Sequence, residues 1–434
     1  MQPNKKVTRG WVLFDWANSA YSLVIVSTIF PKIFLFELKD THQFMGINFG
    51  NPSAIYTAAI CFSYFIILLI TPILGGIADY GGYKKRYMQF FTYLGVFACV
   101  LLYFFDSQHI YFGVWGAVLG SIGFSGSMVF YNAYLPEIAS KKNQDKISAR
   151  GYAMGYLGSS LLLILLFILS TNPALLFVTT EVEVFKIGFV MVGLWWLGWS
   201  AYTFKVLPQN KPVHKSSLLK YCKKGIEELS TAVRDTFKNK PIKYFLIAFL
   251  CLSLGFQTLW IISPLFAASV IKLEGAELIV IVLIMQFVGI IGSILFAKLS
   301  KQKGNIFSLS ITVLLFVIVC LGASLTSTKS VFYIIAILMG FAMGGMQSIS
   351  RSTFSKLISN QAHHASFFSL YDVIEKASIL IGTALVTLVY AFDISMFQIP
   401  AEKFVLLLLG VFFIIGLFLL LGLVRKHFKL AQTK

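Results

Sequence analysis

Apolar residues in this chain come in long unbroken blocks, with polar residues confined to the short stretches between them. A helix needs about 20 mostly apolar residues to cross the hydrocarbon core of a bilayer. Twelve blocks meet that length, at 11–36, 52–78, 88–105, 110–136, 151–171, 185–206, 242–270, 277–299, 306–326, 331–358, 366–391 and 403–424. Several contain Gly or Pro, which spanning helices tolerate because neighbouring helices satisfy the freed backbone groups. The first block follows Lys5, Lys6 and Arg9 as a signal peptide would. It is too long for one, is interrupted by Asp15 and Asn18, and lacks a small-residue cleavage site, so it is expected to be retained as a helix. The pattern predicts an all-α membrane protein with 12 transmembrane helices.

Composition sharpens that reading. Of 434 residues 57% are hydrophobic and only 12% charged, about half the charged share of a soluble protein. So few charges cannot cover a soluble chain of this size, and the partner of its surface is expected to be the lipid bilayer. The net charge of +18 would suit nucleic acid, but the cations sit in short runs between apolar blocks, as membrane topology requires. Nucleic acid is therefore not expected as a partner.

The cations also orient the chain. Of the 36 Lys and Arg, 28 fall on the side of the N-terminus and six on the other, with Arg351 and Lys376 inside predicted spans. The positive-inside rule then predicts that both termini are cytoplasmic. The longest polar stretch, 207–240, divides the chain into an N-terminal six-helix bundle (1–206) and a C-terminal one (241–434). Two halves joined by a basic linker is the plan of transporters whose halves rock around a midplane site. The localisation expected from a basic, signal-free chain of this kind is the bacterial inner cell membrane, multi-pass.

Other chemistry is thin. Cys61, Cys99, Cys222, Cys251 and Cys320 form no CxxC and predict neither a disulfide framework nor a zinc site. The adjacent His363 and His364 read as solvated loop residues, and no metal or cofactor is expected. There is no G-x-x-x-x-G-K-[ST] loop for ATP and no nucleophile or acid–base cluster, so the chain does not read as an enzyme.

Several motifs carry a resemblance. Gly75-Gly76-Ile77-Ala78-Asp79-Tyr80-Gly81-Gly82-Tyr83-Lys84-Lys85-Arg86, between the second and third spans, resembles the G-x-x-x-D-x-x-G-x-[RK]-x-[RK] loop of the major facilitator superfamily. A worn copy without the aspartate, Ala297 to Gly304, follows the eighth span. A narrower resemblance rests on Asp15-Trp16-Ala17-Asn18-Ser19-Ala20-Tyr21, on Tyr131-Asn132-Ala133-Tyr134-Leu135-Pro136-Glu137-Ile138 and on Ser148-Ala149-Arg150-Gly151-Tyr152-Ala153-Met154-Gly155-Tyr156-Leu157-Gly158. It continues in Gln347-Ser348-Ile349-Ser350-Arg351-Ser352 and in Phe367-Phe368-Ser369-Leu370-Tyr371-Asp372 with Lys376. Together these resemble the vacuole-effluxer family, whose eukaryotic namesake exports amino acids released by autophagy. The resemblance implies the major facilitator fold and secondary transport of a small-molecule solute, with amino-acid efflux the expected activity; the sequence leaves open whether protons, sodium or nothing is coupled. The protein is expected to be a monomer. A transporter-like sensor or scaffold without transport is the rival reading.

Charges within the spans are the candidate site. Each ionised side chain at the bilayer centre costs about 2.5–3.5 kcal/mol on insertion scales, so Asp15, Glu137, Arg351, Asp372, Glu375 and Lys376 must face one another or water. All six read as lying in the cytoplasmic third. In one reading Asp79, Asp372, Glu375 and Lys376 belong to a gate of ion pairs that also takes in the other charges. In the other, Asp15 or Glu137 exchanges a proton and Arg351 binds a substrate carboxylate. The family resemblance places the first, fourth, seventh and tenth helices around the cavity, which adds Asn18, Asn132, Gln257 and Gln347 as substrate-binding or coupling candidates. Gly151, Gly155 and Gly158 are expected to permit close packing of the fifth helix.

Overall fold

A computed structural model describes residues 4–38, 43–48, 52–209, 218–273, 276–361, 363–391 and 400–424. Each of the twelve apolar blocks falls on a helix. Among the described residues, ten helices are long and apolar enough to cross a membrane. Two helices that carry apolar blocks stand outside that set. Lys84–Tyr103 opens on three consecutive cations, and His364–Ala391 carries Asp372, Glu375 and Lys376.

Helix ends depart from the hydropathy pattern where polar residues continue a helix. The fifth span, expected to start at residue 151, belongs to a helix that starts ten residues earlier and covers Lys141–Thr171. Residues 141–150 are polar but contain no Gly or Pro, so nothing interrupts the backbone hydrogen bonding there. The expected linker likewise holds an amphipathic helix, Leu218–Lys238. Residues 210–217, with Pro212, and the basic tail 425–434 lie outside the described residues. A two-residue antiparallel ladder, Gln43–Phe44 with Ile47–Asn48, also occurs, turning through Met45 and Gly46 at φ 52° and 79°. Positive φ at both central positions matches the twist of a tight hairpin.

The first span is continuous from Lys5 to Glu37, but its middle, Tyr21–Ile29, is wound more loosely, with i→i+5 hydrogen bonds. Pro31 explains this, since proline lacks an N–H and its ring clashes with the carbonyl four residues back. The hydroxyls of Ser27 and Thr28 donate to the carbonyls of Ser22 and Leu23, at 2.9 and 2.8 Å, within that segment.

The chain forms two compact units. One comprises Pro3–Asn132 with Met154–Ile226; the other is made chiefly of Ala133–Ala153 and Glu227–Lys434. In the first, the Lys5–Ala20 helix packs on Glu181–Val206, where Thr203 Oγ1 donates to Gly10 O at 2.7 Å and Trp195 Nε1 to Trp16 O at 3.1 Å. Such polar contacts act as interhelical glue where lipid removes the hydrophobic driving force. Gly155 and Gly158 face this helix. A Cβ on Gly155 would stand 2.4 Å from Ser19 Oγ, and one on Gly158 2.7 Å from the Trp16 ring, so only glycine permits the observed approach. In the second unit Lys240–Ser269 lies against His364–Ala391. Their contacts, Phe249–Tyr371, Leu250–Ser378 and Thr258–Gly382, advance together along both helices, so the two run parallel. Outward faces of both units expose large apolar side chains such as Phe65, Leu69, Phe97, Ile318 and Phe418, as contact with lipid requires.

Candidate functional site

In the first unit two candidate residues, Asp15 and Asn18, lie in the first half of the first span, Lys5–Glu37. Asp15 is buried, and the phenol of Tyr131 donates to its Oδ2 at 2.7 Å. Tyr131 is itself held by Trp11, whose indole stacks on its ring at 4.4 Å while Nε1 donates to the Tyr131 carbonyl at 2.9 Å. Asn18, one turn on and also buried, points its amide at Met128 Sδ, 3.0 Å away. Asn132 is half-buried next to Tyr131 in sequence, and Asp79 is half-buried at the end of the Pro52–Gly81 helix.

The second unit brings distant stretches of sequence together through a continuous polar seam. The start of the Lys141–Thr171 helix lies along the end of Lys329–Ile358. Arg351, 1% exposed, donates from Nε to Ser148 Oγ at 3.0 Å and from a terminal nitrogen to Ser148 O at 2.8 Å. Its guanidinium lies over the Tyr152 ring, 4.0 Å from the centroid. Ser148 Oγ passes the hydrogen bond on to Ser348 O at 2.8 Å. A turn further out, Lys356 Nζ meets Asp145 Oδ2 at 2.5 Å and Asn305 Oδ1 at 2.7 Å. The same carboxylate accepts from Asn305 Nδ2 and Ser300 Oγ, at 2.8 and 2.9 Å. Three donors on one buried carboxylate supply what water would otherwise supply.

A separate cluster occupies the parallel pair of helices in this unit. Gln257 Nε2 donates to Glu375 Oε1 at 2.7 Å. Lys376 Nζ stands 3.5 Å from Asp372 Oδ1 and 3.8 Å from Glu375 Oε1. Tyr371 lies within electrostatic reach of Asp372, Glu375, Arg351 and Tyr152. Depth is where the structure departs from expectation. Glu375 and Lys376, expected in the cytoplasmic third, lie in the middle third of His364–Ala391, and Gln257 lies in the middle third of Lys240–Ser269.

The histidine reading also needs correction. His363 and His364 are half-buried, not solvated. His363 Nδ1 pairs with Glu228 at 2.9 Å and His364 Nδ1 with Glu137 at 3.3 Å. Gln347 is half-buried one turn before Arg351. Cys99 and Cys320 are buried free thiols, Cys61 and Cys251 are half-buried ones, and the side chain of Cys222 lies outside the described residues. No grouping of metal-ligating side chains occurs among the described residues. A surface cleft lined by Tyr103, Asp106, His109, Glu183 and Lys186 holds none of the candidate residues.

Sequence reasoning passed over Asp145, Ser300, Asn305 and Lys356 and valued Ser148 only as part of a motif. One signal was present: Asp145 is the lone acid within the basic run 141–150.

Comparison with known proteins agrees with this architecture. Over 390 residues the chain is 30% identical to the MFS-type transporter YxiO of Bacillus subtilis (strain 168), covering 88% of this chain and 87% of that one. It is 24% identical to autophagy-related protein 22 of Yarrowia lipolytica over 88% of this chain and 78% of the relative. Among solved structures, the human organic anion transporter MFSD10 superposes with a TM-score of 0.70 at 13% identity, covering 97% of this chain and all of that one. The transporter FucP in its outward conformation gives 0.67 at 13% identity over 95% and 97% of the two chains. The family described as vacuole effluxer Atg22-like matches residues 3–429. The chain therefore belongs to that family and is a multi-pass membrane transporter of the major facilitator fold.

Proposed function

We propose that this protein is a secondary active transporter that moves a small polar solute by alternating access, with amino-acid efflux as its activity. One observation carries the reading: the buried seam that joins residues 145–152 to residues 300–356 is built from charges and hydroxyls rather than from apolar side chains. A buried ion pair is commonly no more stable than an apolar contact of the same shape, and often less. A permanently closed scaffold would therefore gain nothing from it. A contact that must separate and rehydrate in each cycle does, because its halves are soluble when apart.

In this reading Arg351 with Ser148, and Lys356 with Asp145, form the cytoplasmic gate. Gln257, Glu375 and Lys376, in the middle of their helices, and Asp372, one turn before Lys376, face the solute path. Asp15, Asn18 and Asn132 are the binding or coupling candidates of the first unit, and Gln347 is a further candidate of the second. The two bundles are 1–206 and 241–434, with the linker and both termini in the cytosol of a bacterial cell, and the working unit is the monomer. The effluxer description of the family supports efflux as the direction of transport.

Reconstitution in liposomes tests the proposal. Each of the twenty labelled amino acids is presented with and without an imposed proton gradient. Flux of at least one above protein-free vesicles is expected, and none for all twenty removes the amino-acid assignment. Cysteine accessibility then separates gate from binding site. Arg351→Ala is expected to open the cytoplasmic side to a membrane-impermeant thiol reagent without solute, whereas loss of a binding group alone leaves accessibility unchanged.

A further inference from the structure

We infer that Asp372, Glu375 and Gln257 form a binding site for a primary ammonium group of the transported solute, and that Lys376 occupies that site in its absence. The inference rests on the transporter reading for passage of the solute, but not for its binding.

Composition of the cluster is the first argument. Two carboxylates face one ammonium, all on the same two helical turns. Gln257 contributes only a neutral donor, to Glu375 Oε1. Among the charged groups that meet at contact distance here, two carboxylates face one ammonium, within an apolar span where unbalanced charge is costly.

Unused bonding capacity is the second. Asp372 is 7% exposed, yet its Oδ2 accepts no hydrogen bond among the described residues. A buried carboxylate oxygen without a donor forgoes a charge-assisted bond of the strong class. The missing partner must bring a hydrogen-bond donor and one positive charge.

The third argument is the group already present. Lys376 offers the carboxylates a primary ammonium at 3.5 and 3.8 Å, longer than the usual 2.7–2.9 Å of such bonds (about 0.6–1 Å too far). A lysine four residues from Asp372 on the same helix cannot approach both carboxylates head-on. A free ammonium from a solute is not so tethered and can take the shorter contacts, displacing the flexible lysine head. Glu375, the least buried of the three charged side chains, is the side from which it would enter.

The test uses purified full-length protein in detergent at pH 7, with thermal unfolding as the readout. The probes are the twenty free amino acids, L-leucinamide, and the N-acetyl derivative of each amino acid that binds. At least one free-amino probe is expected to raise Tm and its N-acetyl form not to. Asp372→Asn and Glu375→Gln are each expected to weaken that binding on the order of 30-fold, the size of a lost buried charge contact. Lys376→Gln is expected to tighten it, since the internal competitor is gone; a lysine with a purely structural role would instead weaken it. The inference is overturned if no probe shifts wild-type Tm, if N-acetyl probes bind equally, or if Asp372→Asn binds like wild type. A further overturning result is proton uptake that Asp372→Asn removes while no amine binds, which would make the site a proton site. Amine binding without flux in liposomes would defeat the transporter reading alone, and flux of amino acids unaltered by Asp372→Asn would defeat this inference alone.

Discussion

Arg351 and Ser148 lie 203 residues apart in the chain, and the guanidinium of the first donates to both the hydroxyl and the carbonyl oxygen of the second. The planar fork of arginine suits two acceptors on one residue, and its flat face rests on Tyr152 at the same time. Ser148→Ala keeps the carbonyl contact and loses the hydroxyl, and is expected to cost about 1–3 kcal/mol of stability. Arg351→Lys cannot reproduce the fork and is expected to be the worse of the two. Thermal unfolding of the purified variants checks the ranking, which fails if the lysine variant is as stable as wild type.

The Lys356–Asp145 pair permits a double-mutant cycle. Lys356→Met strands a buried carboxylate and is expected to cost about 3–5 kcal/mol, whereas Lys356→Met with Asp145→Leu removes both charges and recovers most of that. Recovery of stability in the double variant should come with loss of transport, since the seam no longer rehydrates. Equal instability of single and double variants would mean that Asn305 and Ser300, not the ion pair, hold this end of the seam.

Tyr131→Phe removes the phenol from Asp15 while leaving the ring on Trp11. About 1–3 kcal/mol of destabilisation is expected from a buried carboxylate deprived of a donor. Adding Asp15→Leu to it should restore part of the loss. Denaturation of the single and double variants decides the matter.

Gly76 and Gly225 set how closely the linker helix approaches the end of the Pro52–Gly81 helix. A Cβ on Gly76 would lie 2.0 Å from the carbonyl oxygen of Gly225, and one on Gly225 2.4 Å from the Ile77 side chain. Gly76→Val is therefore expected to push the Leu218–Lys238 helix away and speed proteolysis within 207–240, with little change in the spans themselves. Unchanged cleavage rates would show that the linker helix does not depend on this contact.

The helices over the twelve apolar blocks could be read from the sequence because they answer to a local property. Lipid solvates each apolar block independently, so block length alone announces a helix. The amide chain leaves no other structure available there. The helix ends were less legible, as the early start at Lys141 and the helix within the linker show, since hydropathy is blind to polar residues that are helical. Asp15, Arg351 and the Asp372–Lys376 turn stood out because a charge in an apolar block is anomalous on its face.

Asp145 and Lys356 are the opposite case. Asp145 sits in a basic run that reads as water-facing, and Lys356 at the very end of the tenth apolar block, so no local anomaly marks either. Only the fold reveals that Lys356 meets Asp145 across 211 residues of sequence and that Asn305 and Ser300 complete the shell. The same holds for His363 and His364, whose glutamate partners lie on other elements. By itself, then, the sequence determined the class of protein, the position of the apolar helices and which charges within them require an explanation, because solvation by lipid acts residue by residue. Tertiary structure alone decided which polar groups meet and how deep Glu375 and Lys376 lie. Hydrogen bonding is directional and short in range, so its partners exist only once distant helices have been brought within 3 Å or so of each other.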